Sequence, residues 1–220
     1  MKLLIHILKY EMKLSAAGKS LFLSTCFFMI IIFTTSIGTS EFGERTPNTS
    51  VAILWTALAL SALLSVGIMF QTDYDDGTLD WFFLSPISLE LLVILKAISH
   101  WLTTCLPLVI LTPVVCIPLG INLTSSLWIF LIMLIGTPAI SFISTIGAAL
   151  ILGERGSHLL LSIFILPTFL PILVFGIKLS MLVTNSIYDF EALYLMIALC
   201  LVCIALSPFI TATIIKVHYT

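Results

Sequence analysis

The stretch FQTDYDDGTLDWFFLSPIS, Phe70 to Ser88, is the most polar interval of a very apolar chain and separates two long uncharged segments. It contains four carboxylates: Asp73, Asp75, Asp76 and Asp80. Gly77 allows a sharp turn, and Pro86 ends a helix. We therefore expect the chain to leave a membrane here, form a short helix around Trp81 at the interface, and re-enter the membrane in a helix capped by Ser88. In this interpretation the acids from Asp73 onward lie in water.

The composition identifies the class of protein. Of the 220 residues, 60% are hydrophobic and 9% are charged, and the mean hydropathy is +1.23. A soluble domain carries roughly a quarter charged residues, so the sequence predicts an integral membrane protein. The formal net charge of −2 provides no basic surface for nucleic acid.

Six segments are long and apolar enough to cross a bilayer, which takes about 20 residues of helix. They cover residues 20–40, 46–72, 92–118, 127–152, 156–177 and 192–215. The third and fourth are separated at GINLTSS, Gly120 to Ser126, inside an interval that carries no charge from Ala97 to Gly153. Helices satisfy their own backbone hydrogen bonds in lipid, so we expect an all-α fold in one transmembrane domain over residues 1–220. Prolines within the spans predict either bending helices or fixed kinks.

Lysine and arginine set the orientation, because they accumulate on the cytoplasmic side. With an internal N-terminus, seven of the nine basic residues lie inside: Lys2, Lys9, Lys13, Lys19, Lys96, Arg155 and Lys216. Arg45 and Lys178 lie outside. Both termini and the acidic loop, residues 73–90, are therefore predicted to be cytoplasmic. We also expect the first helix to be retained, because no small-residue cleavage site follows it.

Residues 1–19 have the pattern of an amphipathic helix lying on the membrane surface. Lys2, His6, Lys9 and Lys13 are spaced by four, three and four residues and share one stripe. Glu11 falls within the apolar arc. Two interpretations are open: Glu11 reaches the membrane surface as a snorkelling acid, or it pairs with a cation on a partner protein or on another helix.

Other motifs do not indicate a catalytic or metal site. The five cysteines all lie in apolar runs, and packing explains them better than disulfides. The sequence AAGKS, Ala16 to Ser20, lacks the first glycine of a phosphate-binding loop, since that position is Lys13. His100 follows Lys96 by about one turn and is interpreted as a packing or interface residue, and no histidine pair has metal-ligand spacing. No carboxylate pair or arginine lies in the middle of a span, which argues against an ion-driven carrier.

The pattern from Gln71 to Pro86, D-x-x-x-G-T-L-D followed by aromatic-leucine-Ser-Pro, resembles the permease subunit of the cytochrome c maturation system, the haem exporter protein B family. Further stretches agree: LKAISHWLTTCLPLVILTP (Leu95–Pro113), GTPAISFISTIGAAL (Gly136–Leu150), RGSHLLLSIFILPTFLPILVFG (Arg155–Gly176) and LSPFITATIIKV (Leu206–Val217). The resemblance covers essentially the whole chain. It implies a six-helix permease of the ABC superfamily, resembling the ABC-2 or type V class, which is not itself an enzyme.

The resemblance also implies a site. In this family the loop between the second and third spans carries a coupling helix that contacts a separate ATPase subunit. ATP binds to that subunit. The implied contacts are Asp73, Asp75, Asp76, Gly77, Thr78, Leu79, Asp80, Trp81 and Phe82, with lighter contacts from Glu154 and Arg155 in the second loop and a partner contact by Glu11.

The implied partners are the ATPase, a haem-handling membrane protein, a small single-span protein, lipid and a second copy of this chain. Haem is the handled or transported ligand, and no cofactor is assigned to the chain itself. The alternatives are a non-transporting scaffold of the haem-handling complex and an exporter of lipid or drug. The expected location is a bacterial inner membrane, with a mitochondrial inner membrane as the alternative.

Overall fold

The computed structural model describes residue 11 and residues 20–41, 46–84, 88–153 and 158–218. Every regular element in those ranges is helical. The helices are α1 Ser20–Glu41, α2 Pro47–Val66, α3 Gln71–Asp75, α4 Thr78–Leu84, α5 Leu89–His100, a π-helical segment Trp101–Cys105, α6 Leu106–Cys116, α7 Leu123–Leu150, α8 His158–Thr184 and α9 Phe190–His218.

Six helical units in the described ranges are long and apolar enough to span a membrane. The third unit is α5, the π-helical segment and α6 together, Leu89–Cys116. The all-α, six-span prediction is therefore confirmed. The predicted break at residues 120–126 overlaps the turn between α6 and α7, residues 117–122, and its last four residues belong to α7. The predicted interfacial helix at residues 1–19 lies outside the described residues, except for Glu11.

Local sequence signals fix where several helices begin. Thr46 caps α2 through a reciprocal pair of hydrogen bonds with Thr49, both 3.3 Å, and Pro47 occupies the first turn, where its missing N–H costs nothing. Ser88 caps α5 by accepting from the Leu91 N–H at 3.4 Å, as predicted. Gly77 joins α3 to α4 with φ of +69°, a left-handed conformation that glycine adopts without strain.

The bundle is organised around α7, which packs against α5, α6, α8 and α9, while α1 packs on α2 and α2 on α8. The largest fully buried side chain is Trp55 of α2. Its indole N–H donates to Ser180 Oγ at 3.0 Å, and its ring lies against Gly136 of α7 and Gly176 of α8. Three helices therefore meet at one aromatic ring, because two of them present no side chain there.

The contacts between helix ends define two ends of the bundle. Gly153 bonds to Gln71, and Lys216 of α9 pairs with Glu90 of α5 at 3.1 Å. We call this end, which carries residues 67–84, 88–90, 151–153 and 216–218, the acidic end. At the opposite end Ser36 donates to the Pro118 carbonyl at 2.9 Å.

Candidate functional site

The acidic end carries two short helices, α3 and α4, that follow α2. α3 is followed by the turn at Gly77 and then by α4, so the chain reverses within a few residues. Asp75, Asp76 and Asp80 are exposed, and Trp81 exposes 75% of its surface. An indole displayed to this degree beside three carboxylates is a surface suited to contact with another protein.

Asp73 differs from its neighbours, and the expectation that it lies in water is wrong. It is buried, and its carboxylate forms an ion pair with Lys96 of α5. Lys96 is itself buried, because the last turn of the second span, α5 and Glu11 surround it. Burial of Asp73 removes it from the residues that can touch a partner directly.

Lys96 holds a second carboxylate. Its Nζ lies 3.0 Å from Glu11 Oε2 and donates to the Met69 carbonyl oxygen at 3.1 Å. The same nitrogen lies 5.5 Å from the centroid of the Phe70 ring, within cation–π range. Of the two interpretations of Glu11, the structure therefore supports pairing with a cation on another helix. Its predicted contact with a partner remains a prediction.

One ammonium between two buried carboxylates leaves an excess negative charge. Burial raises the pKa of Glu11 above its ordinary value of 4.5, the charge of Lys96 acts in the opposite direction, and the charge of Asp73 raises the pKa further. Desolvation favours the neutral acid, whereas a nearby cation favours the carboxylate. We refer to Glu11, Lys96 and Asp73 as the buried triad.

The second loop contacts the first. The Gly153 N–H donates to Gln71 Oε1 at 3.3 Å, and Gln71 Nε2 donates to Asp75 Oδ1 at 3.1 Å. Gly153 has φ of +79°, and a Cβ there would approach Tyr74 Oη to 3.3 Å. The contact predicted for Glu154 and Arg155 lies outside the described residues, but the residue before them is joined to the acidic loop.

The remaining predicted residues divide by exposure. Leu79 of α4 is fully buried and belongs to the main hydrophobic core rather than to the surface of the loop. Gly77 and Thr78 are half-buried, and Phe82 belongs to α4. Among the predicted residues from 73 to 82, Asp73 and Leu79 therefore face inward, whereas Asp75, Asp76, Asp80 and Trp81 face outward.

Lys96, Gln71 and Tyr74 were not among the predicted site residues. The sequence does single out Lys96, because it is the one charged residue between Glu90 and Glu154. An isolated charge in a span end requires a partner, so it pointed to a buried acid without saying which one. The roles of Gln71 and Tyr74 depend on a loop more than 70 residues away and left no local pattern.

The histidine of α5 is held by hydroxyl groups. His100 is buried, with Nε2 2.7 Å from Ser65 Oγ and Nδ1 2.8 Å from Ser141 Oγ. Both ring nitrogens are therefore occupied, which supports a packing role. Within the described ranges, no group of three histidine, cysteine or acidic side chains is arranged to hold a metal ion.

Comparison with known proteins identifies the family of the chain. The family model described as "CcmB protein" matches residues 2–218. The chain belongs to the CcmB family. Curated CcmB relatives named "Heme exporter protein B" include the Rhodobacter capsulatus protein, 35% identical over 92% of this chain and 93% of the relative. The Haemophilus influenzae relative is 29% identical over 97% of each, and the Escherichia coli K12 relative is 34% identical over 87% of each.

Proposed function

We propose that this chain is the transmembrane permease subunit of an ABC complex that exports or delivers haem for c-type cytochrome assembly. Membership of the CcmB family and the printed names of its relatives support the haem assignment. The observation that carries the mechanism is the outward display of Asp75, Asp76, Asp80 and Trp81 on short helices at one end of a six-span bundle.

The proposed mechanism is mechanical. A separate cytoplasmic ATPase binds the acidic end, and ATP hydrolysis in the ATPase changes the arrangement of the spans. Coupling between two such sites typically amounts to about 1–3 kcal/mol, which is a bias between states rather than a large force. The chain itself has no catalytic role in this proposal, and the ATP site belongs to the partner.

We further propose a homodimer in a bacterial inner membrane, with both termini cytoplasmic, acting with a haem-handling membrane protein and a small single-span protein. The first and last spans support the dimer, because only 17% of Leu21–Gly38 and 22% of the most apolar stretch of the last span are buried, and the remaining apolar surface needs lipid or another helix. The orientation is supported by the lysine and arginine distribution. It is also supported by the contacts of Glu11 and Lys216, which both lie at the acidic end.

The test is co-purification with the ATPase subunit after combined Asp75→Asn, Asp76→Asn and Trp81→Ala substitution. The expected result is loss of the ATPase from the complex and loss of c-type cytochromes in the cell. A matched control changes the same kinds of side chain at the opposite end, Glu191→Gln with Tyr194→Ala, both exposed. Retention of the ATPase by the first variant at the level of the control contradicts the coupling role.

Orientation has its own test. A cysteine at position 75, in a chain whose five native cysteines are replaced by alanine, is expected to react with a membrane-impermeant maleimide in inverted vesicles. In intact spheroplasts it should stay unreacted. Labelling only in spheroplasts would show that the acidic end faces the opposite side of the membrane, where a cytoplasmic ATPase cannot contact it.

A further inference from the structure

Lys96 connects parts of the chain that are far apart in sequence. Its Nζ lies 3.0 Å from Glu11 Oε2, 85 residues away, and 3.1 Å from the Met69 carbonyl oxygen, 27 residues away. It also forms an ion pair with Asp73 of α3. An ammonium group has three N–H donors, and the structure surrounds this one with three oxygens.

The triad is shielded from water. The side chains of Lys96, Glu11 and Asp73 expose 2%, 7% and 4% of their surfaces. Salt screens such a pair only weakly, and removal of the cation leaves two carboxylates that must take up protons or become exposed. Exposure of Asp73 requires α3 to leave its position, because Asp73 is in the middle of that helix.

The inward position of Asp73 sets the rotation of α3. Successive residues of an α-helix turn by about 100°, so when Asp73 points to Lys96, Asp75 lies on a different side of the helix. Asp75 and Asp76 are exposed, and the exposed Tyr74 lies against Gly153. The direction of a single buried ion pair therefore places Asp75 on the opposite, exposed side of α3.

We propose that Lys96 is the positioning residue of the ATPase-contact surface. By pairing with both Asp73 and Glu11, it locks α3 in the rotation that displays Asp75, and it joins Glu11 to the same unit. This inference rests on the proposed function for the identity of the partner, whereas the locking of α3 is a property of this chain alone.

The test is hydrogen–deuterium exchange of the purified full-length chain, read by mass spectrometry in peptides that cover residues 70–80. In the wild type the Tyr74 and Asp76 amides donate to Phe70 and Thr72 carbonyls, both at 3.0 Å, and these bonds protect them. For Lys96→Met we expect exchange in this peptide to be faster by on the order of ten- to a hundredfold, while peptides from α7 keep their wild-type rate.

Two further variants separate positioning from general damage. The triple variant Glu11→Gln, Lys96→Met, Asp73→Asn leaves no unpaired charge, so it keeps the fold while losing the lock, and it is expected to show the same faster exchange in residues 70–80. Lys216→Met removes a cation of the same end from the partly exposed pair with Glu90. It should leave exchange in residues 70–80 within about twofold of wild type, because exposed pairs contribute little.

The second readout is binding of the purified ATPase subunit to each variant in detergent. We expect Lys96→Met and the triple variant to bind at least about tenfold more weakly than wild type and Lys216→Met, since the coupling bias corresponds to a factor of about 5–150. Wild-type exchange in residues 70–80 of the triple variant overturns the lock. Faster exchange with wild-type ATPase binding overturns the positioning role. A wild-type chain that binds no ATPase overturns the proposed function instead.

Discussion

Gly176 of α8 offers a quantitative test of the packing around Trp55. A Cβ added at Gly176 would lie 2.5 Å from Cζ2, 2.6 Å from Cη2 and 2.8 Å from Cε2 of the indole ring. The ring has little freedom to retreat, because its N–H donates to Ser180 and Gly136 lies against it from α7. Gly176→Ala therefore forces a rigid ring to move rather than the end of a flexible chain.

The magnitude follows from two opposing terms. Replacement of glycine by alanine inside a helix stabilises it by about 1 kcal/mol, whereas forcing an extra methyl into a filled core costs about 1–3 kcal/mol and occasionally more. With three ring atoms closer than 3.0 Å, the cost is expected at the upper end of that range. We therefore expect Gly176→Ala to lower the free energy of unfolding by about 2 kcal/mol, a factor of about 30 in the folding equilibrium.

Gly38→Ala is the matched control. Gly38 also lies in a helix, α1, and a Cβ there would meet nothing within 4 Å, so only the favourable propensity term remains. The assay is unfolding by sodium dodecyl sulfate from mild detergent micelles, followed by circular dichroism at 222 nm. Trp55→Phe in the Gly176→Ala background removes the clashing ring edge, so the double variant should lose less than the sum of the single losses. If Gly176→Ala is as stable as Gly38→Ala, the close contact with Trp55 is wrong.

Three further predictions concern single positions. Ser180→Ala leaves the buried indole N–H without its acceptor and should lower the unfolding free energy by about 1–3 kcal/mol in the same assay, with no loss for the exposed Thr213→Ala. Gly77→Ala places a side chain at φ +69° and should cost about 1 kcal/mol, read as faster exchange in residues 70–80, although nothing lies within 4 Å of the added Cβ. The raised pKa of Glu11, beside Lys96 and Asp73, means that its contribution to stability is fully present below pH 4.5 and is lost as pH rises through the raised pKa. Above pH 4.5 the free energy of unfolding should therefore change less with pH in Glu11→Gln than in the wild type. Parallel curves of unfolding free energy against pH for the variant and the wild type would contradict the raised pKa.

The hydropathy of the sequence predicts the number and position of the membrane-spanning helices. A span is a property of about 20 consecutive residues, so the six units and the break at Gly120 to Ser126 could be read along the chain without knowing how the helices pack. Helix starts were equally local, since Ser88 acts on an amide three residues away. The ends differ from prediction by a few residues, as at Leu89 and Thr184, because polar residues continue a helix beyond the uncharged run.

The acidic loop was predictable as a region but not in its orientation. Four aspartates in eight positions indicated a loop in water, and a five-residue helix leaves no periodicity from which an inward face can be read. Asp73 was therefore expected beside Asp75 and Asp76 on the surface. The structure buries it against Lys96, a buried ammonium that also pairs with Glu11, and a buried cation without paired, hydrogen-bonded partners is costly.

Span boundaries and turns depend on the order of residues alone, because the bilayer and the helix act on neighbours along the chain. Which side chains meet was decided only when the helices assembled. Trp55 found two glycines on different helices, and Lys96 found one acid from the loop and another near the N-terminus. Such contacts join residues tens of positions apart, and their energy comes from excluding water and lipid at one point in space, so no window of sequence contains them.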